Sequence, residues 1–207
     1  MWKYRCQRLS VPEYDIEFFA VSEKQNYQKI FNKYKIKNAV DLSCKACELY
    51  NVEIIDGKKI FKKMATDYVR KYLKSCGEGA SVTFVDKSLK TYTEEFVDLL
   101  CDVCDRINLC TMCSRKGEEL CDKIMKKYGA VINVMGNEEK IKSDVVVIVD
   151  NFDVVIDEKC VVIGDSFCTA SNRKVWDFYI PFRVKVPFDM PRTVFAECVQ
   201  LAGKKSI

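Results

Sequence analysis

The chain has 207 residues, of which 48% are hydrophobic and 31% charged. That is enough to bury a core without covalent staples, and no apolar run approaches the roughly 20 residues of a membrane span. There is no histidine, which removes the usual general base near neutral pH, the usual triad member and the commonest zinc ligand. The net charge of +4 is unevenly spread, with +6 over residues 1–80, −6 over 81–165 and +4 over 166–207. An acidic middle speaks against a nucleic-acid groove there.

The start, MWKYRC, lacks the apolar stretch of a secretory signal. The twelve cysteines are spread along regular patterns and read as reduced thiols packed like small hydrophobes. Both point to a cytoplasmic protein with no membrane partner.

In chain order, residues 1–21 contain two extended stretches broken by Pro12, read as edge strands or a hairpin. Ser22 with Gln25 has the pattern of a capping box, opening a helix with Tyr27, Ile30, Phe31 and Tyr34 on one stripe. Residues 38–50 read as a short helix and 52–55 as a strand closed by Asp56 and Gly57. Residues 58–75 give the clearest helix, with Ile60, Phe61, Met64, Ala65, Tyr68, Val69, Tyr72 and Leu73 on its apolar face. Its other face carries seven basic residues, among them Lys62, Lys63 and Lys71, either a solvated face or a contact for an acidic partner.

Five β-branched runs follow at residues 81–86, 107–113, 131–135, 145–150 and 160–164. They read as buried parallel strands, alternating with helical patterns in the rhythm of a doubly wound α/β sheet. Thr91 or Thr93 caps the first core helix, predicted to run to residue 105. Leu120, Cys121, Ile124, Met125 and Tyr128 form the inner face of the second, which Gly129 stops. Asn137 caps a short third helix. Residues 176–186 read as an edge strand interrupted by Pro181, and Pro191 at the first helical position opens a last helix with Val194, Phe195, Cys198 and Val199 inward. The expected division is a small α+β region at 1–79, an α/β domain at 80–166 and a strand and helix at 167–207.

From Val82 to Asn151 the order of elements resembles the NAD(P)-binding Rossmann domain of shikimate dehydrogenases and glutamyl-tRNA reductases. Ser114 and Arg115 after the second core strand stand where that family meets the adenosine 2′-phosphate, and Asp144, Val145 and Val146 match its Asp-Val-Val segment. The resemblance implies a mostly parallel, Rossmann-like sheet and NADP as a cofactor. One feature departs from the family. A diphosphate needs G-x-G-x-x-G after the first strand so that backbone can approach it at a helix N-terminus. The chain has Asp86, Lys87, Ser88, Leu89, Lys90, Thr91 and Tyr92 there, bulky and anionic, with no glycine.

The expectation is therefore a Rossmann-like protein without conventional dinucleotide binding and without a cofactor, taking a small ligand or a protein partner. The alternative is an NADP-dependent oxidoreductase with an atypical phosphate loop. Ligands of open α/β sheets sit outside the carboxyl ends of the strands, which makes Asp86, Lys87, Ser88, Ser114, Arg115, Asn137, Asp150, Asn151, Asp165 and Ser166 the candidate residues. Three C-x-x-C pairs, Cys44/Cys47, Cys101/Cys104 and Cys110/Cys113, invite a metal. A helix pair and a strand pair cannot aim four thiolates at one point, so the last two read as core; Cys44/Cys47 keeps a redox or metal reading.

Overall fold

Parallel pairing of five short strands dominates the computed structural model, which describes residues 6–21, 27–40, 52–101, 104, 106–150, 153–164, 178 and 180–203. The chain forms two compact units, Phe61–Phe178 and Met1–Ile60 with Tyr179–Ile207. The expected boundary at residue 79 moves back because Phe61, Ala65, Val69 and Leu73 belong to the core of the sheet. Among the described residues no helix is long and apolar enough to cross a membrane.

In the larger unit, helix α2 (Lys58–Cys76, continuing from the smaller unit) is followed by β5 (Ser81–Val85), α3 (Thr91–Leu100), β6 (Arg106–Cys110), α4 (Ser114–Tyr128), β7 (Ile132–Met135), β8 (Val145–Ile148) and β9 (Val161–Gly164). The strands lie in the order β7-β6-β5-β8-β9, all parallel. Alternation along each strand sends Val82, Phe84, Ile107, Leu109, Val145 and Val147 to one face. There they meet Phe61 and Val69 of α2, Phe96 and Leu100 of α3, and Leu120 and Ile124 of α4. Phe96 packs edge-on against both Phe61 and Phe84, with centroids 6.4 and 5.1 Å apart. Gly117 of α4 is buried, and a Cβ there would lie 3.0 Å from a methyl of Val134, so its lack of a side chain sets how closely α4 approaches β7.

The second face carries Val85, Cys110, Met135, Val146, Ile148 and Val162. Its cover comes from the connections β7–β8 and β8–β9, which right-handed crossovers send to this side. Ile141, Val154, Ile156 and Cys160 supply the apolar contacts. The predicted third helix at Asn137 is absent: residues 137–139 form a turn, and Ile141 is held extended in a parallel bridge with Ile156. Burying Ile141, which is 1% exposed, by that pairing outweighs the local helical pattern.

Several boundaries also differ. Helix α3 ends at Leu100, with Cys101 as its C-cap, and Met125 and Tyr128 of α4 are exposed. Gly129 does stop α4, at φ +68, donating its N–H to Met125 O.

In the smaller unit, β1 (Cys6–Val11) and β2 (Ile16–Val21) form an antiparallel hairpin through a turn at Pro12–Tyr14. Helix α1 (Tyr27–Tyr34) buries Ile30. Asn38–Ala39 is strand β3, not helix, because its backbone pairs in parallel with β4 (Glu53–Ile54). The described part of 176–186 forms no strand. Its backbone is engaged by side chains instead: Ile180 O accepts from Arg192, and the Arg183 N–H donates to the Tyr14 hydroxyl. Helix α5 (Arg192–Leu201) has Pro191 as its N-cap, one position earlier than predicted, and is buried from Thr193 to Val199. Phe195 packs against Tyr14, Phe18 and Phe182.

That burial includes Glu197, whose Oε2 accepts the Gly57 N–H at 2.8 Å. Desolvation raises its carboxyl above the ordinary glutamate value, against the lowering by that hydrogen bond. A raised folded-state value means that the stabilisation is complete below the unfolded value, near 4.3 by the usual reference. It is lost as pH rises through the folded value. Compared with Glu197→Gln, the parent chain should therefore gain stability as pH falls from 7 towards 4; urea midpoints at both ends of that range measure it, and equal pH profiles would refute it.

Candidate functional site

Asp86 closes strand β5 and is fully buried. Its Oδ1 accepts the N–H groups of Ser88 and Leu89, both at 3.1 Å, and Oδ2 accepts the Lys90 N–H at 2.9 Å and the Thr93 hydroxyl. The N-cap position of α3 is Lys90, whose side chain makes no cap. Thr93, one of the two predicted caps, instead lies inside α3 and donates its hydroxyl back to Asp86, which anchors the loop leading into the helix. Leu89 holds φ +48, the left-handed turn that glycine would favour, and its side chain is buried in the core.

Neighbouring strands tie this loop on both sides. Met112 N–H and the Thr111 hydroxyl donate to Lys87 O, each at 3.2 Å. On the β8 side, Val149 and Asp150 N–H donate to Val85 O, and Lys90 Nζ lies 3.4 Å from Asp150 Oδ2. The crevice between β5 and β8, where strand order reverses, is bridged by this pair.

The N–H groups of Ser88, Leu89 and Lys90, in the loop between β5 and α3, are already taken by an internal carboxylate, and a second anion beside it is repelled in a medium less polar than water.

The other candidates do not join this cluster. Ser114 and Arg115 open α4 in solvent, with Arg115 92% exposed and paired to Glu119 one turn on. Asn137 is exposed in the turn after β7. Asn151, Asp165 and Ser166 lie outside the described residues, as do Cys44 and Cys47.

The remaining C-x-x-C pairs straddle element ends. Cys101 caps α3 with Cys104 beyond it, and Cys110 ends β6 with Cys113 as the N-cap of α4. Their thiols serve as weak donors: Cys101 to Val97 O, Cys104 to Arg106 O and Cys110 to Gly136 O. Burial pushes the Cys110 thiol up to about 11, leaving it protonated at neutral pH. Among the described residues no three potential metal ligands converge.

A second place was missed in the sequence. On the second face, at the amino-terminal halves of β5, β6 and β7, a depression of about 460 Å³ is lined by Thr83, Asn108, Asn133 and Ser143, with Arg106 and Lys142 beside them. Thr83 is 0% exposed and Ser143 5%. The signal was a polar residue, Thr83, Asn108 or Asn133, flanked on both sides by apolar ones inside each of the three strands SVTFV, RINLC and INVM.

The parallel strand order, with α3 between β5 and β6 and α4 between β6 and β7, makes the larger unit a Rossmann-like α/β domain. No protein-family model matches the chain, and no curated protein matches it in sequence. Among solved structures it is similar to the Thermococcus litoralis Δ1-pyrroline-2-carboxylate reductase in complex with NADH and L-proline, at 15% identity and a TM-score of 0.38, over 52% of this chain and 37% of that one. It is similar to L-tryptophan dehydrogenase from Nostoc punctiforme at 10% identity and 0.40, over 70% and 46%. A Leishmania major Friedlin chain provisionally assigned as an aspartate carbamoyltransferase matches at 13% and 0.40, over 74% and 64%. In all three the match covers less than two thirds of the other chain, and likeness of this degree says nothing of chemistry.

Proposed function

We propose that this chain is a Rossmann-like module that binds a small polar ligand and does not hold a nicotinamide dinucleotide in the usual diphosphate mode. The observation that carries the reading is the Asp86 carboxylate, which already accepts three backbone N–H groups of the loop that would cradle the diphosphate. The Lys90–Asp150 pair supports it from the neighbouring strand.

Thermal melting with NADH and NADPH tests the reading. Each at 1 mM should leave the melting temperature unchanged. A ligand held at one hundred times its dissociation constant would add about 2.7 kcal/mol, so a rise of several degrees overturns it.

A second reading rests on Arg115, which stands in the first turn after β6, where the shikimate dehydrogenase-like pattern meets a 2′-phosphate. Under it NADPH raises the melting temperature, and Arg115→Ala abolishes the rise while NADH remains indifferent.

The basic face of α2 is a weaker support for an acidic partner than its sequence suggested. Lys62 pairs with Glu95, Arg70 donates to Leu99 O, and Lys58 pairs with Asp56.

A further inference from the structure

We infer that the depression on the second face of the sheet binds a small hydroxylated anion, a carboxylate or a phosphate ester, read by Asn133, which Asn108 positions, and drawn in by Arg106 and Lys142. The inference rests on the small-ligand reading above and places the ligand at the end of the sheet opposite to the Asp86 loop.

Register is the first argument. Asn133 pairs with Asn108, Asn108 with Thr83, Thr83 with Val146 and Val146 with Val162, so one row crosses the whole sheet on a single face. The row is apolar at Val146 and Val162, which pack with the covering chain of Ile141 and Ile156. It is polar on β5, β6 and β7, where the depression lies. The side chains change character where the cover ends.

Hydrogen bonding is the second. Asn108 Nδ2 donates to Ser143 Oγ at 3.1 Å and to Thr83 Oγ1 at 3.3 Å, while its Oδ1 accepts from Asn133 Nδ2 at 3.4 Å. Thr83 and Ser143 bond each other. This network fixes the Asn108 carboxamide before any ligand arrives. Asn133, exposed at the open edge, keeps its carboxamide oxygen and one N–H without a protein partner among the described residues, a donor and an acceptor side by side.

Charge is the third. Arg106 and Lys142 line the same depression, are exposed, and have no carboxylate partner among the described residues. The nearby Asp144 is engaged through Oδ2 by the N–H and hydroxyl of Ser81. A volume of about 460 Å³ lies within the common range for metabolite sites.

The test follows the side-chain amide signals of Asn108 and Asn133 in the ¹⁵N-labelled full chain. Ribose 5-phosphate, citrate, inorganic phosphate and NADPH are added in separate titrations. A saturable shift of both asparagines with ribose 5-phosphate or citrate is expected, the responding compound telling phosphate from carboxylate. The double variant Arg106→Gln with Lys142→Gln should weaken it at least tenfold while its spectrum stays folded. The inference is overturned if neither organic anion moves those signals, if the double variant binds as well as the parent, or if inorganic phosphate binds as tightly as both. NADPH shifting the backbone amides of residues 87–90 would instead overturn the reading of a closed dinucleotide loop, leaving the asparagine result to stand by itself.

Discussion

Replacing Asp86 by alanine should lower the melting temperature by roughly 6–20 °C, taking a cost of about 3–5 kcal/mol and about 2–4 °C per kcal/mol for a chain of this size. The carboxylate holds three backbone N–H groups and the Thr93 hydroxyl, and is itself fully buried. Charge-assisted bonds of this kind are about twice as strong as neutral ones. Alanine leaves their donors facing one another around a small void. Ser88 and Lys90 can find water, but Leu89 is only 2% exposed, which keeps its amide away from solvent.

Asp86→Asn separates the two contributions, because asparagine retains one acceptor oxygen while turning an N–H towards a donor. It should fall between the parent and the alanine variant. Calorimetry of the three proteins measures the series, and an alanine variant melting within 2 °C of the parent would remove Asp86 as the anchor of the loop.

Gly57→Ala should cost the smaller unit about 2–5 kcal/mol, the sum of about 1–2 for a side chain in left-handed backbone and about 1–3 for overpacking. Gly57 holds φ +77, and a Cβ there would stand 2.8 Å from both Thr193 Oγ1 and the Val194 nitrogen of α5. Moving Gly57 away would also stretch the bond from its N–H to Glu197. The glycine is required by close approach as well as by conformation. Adding Thr193→Ala removes the hydroxyl contact but not the backbone nitrogen, so the double variant should recover less than half of the loss. Urea unfolding followed by circular dichroism measures both. Full recovery in the double variant would place the strain in the threonine side chain alone.

Sequence by itself determined the elements whose cause is local. The β-branched runs around Val82, Leu109, Val134, Val147 and Val162 became the five parallel strands because such side chains suit a pleated surface buried on both faces. The spacing of Phe61, Ala65, Val69 and Leu73 fixed α2, and Gly129 fixed the end of α4 because it alone takes left-handed backbone without cost. The absence of glycine after β5 was equally legible.

Only the tertiary structure decided what answers a distant partner. An aspartate after a strand reads the same whether it faces water or its own loop; three loop amides and the Thr93 hydroxyl made Asp86 the anchor of that loop. Residues 137–141 carried a helical pattern, but Ile141 pairs with Ile156 across fifteen residues. Asn108 and Asn133 looked like isolated polar residues, and became a row only through strand register. Local spacing fixes the direction in which a side chain leaves its own element, whereas the groups it meets depend on non-local pairing, and a binding site is made of those meetings.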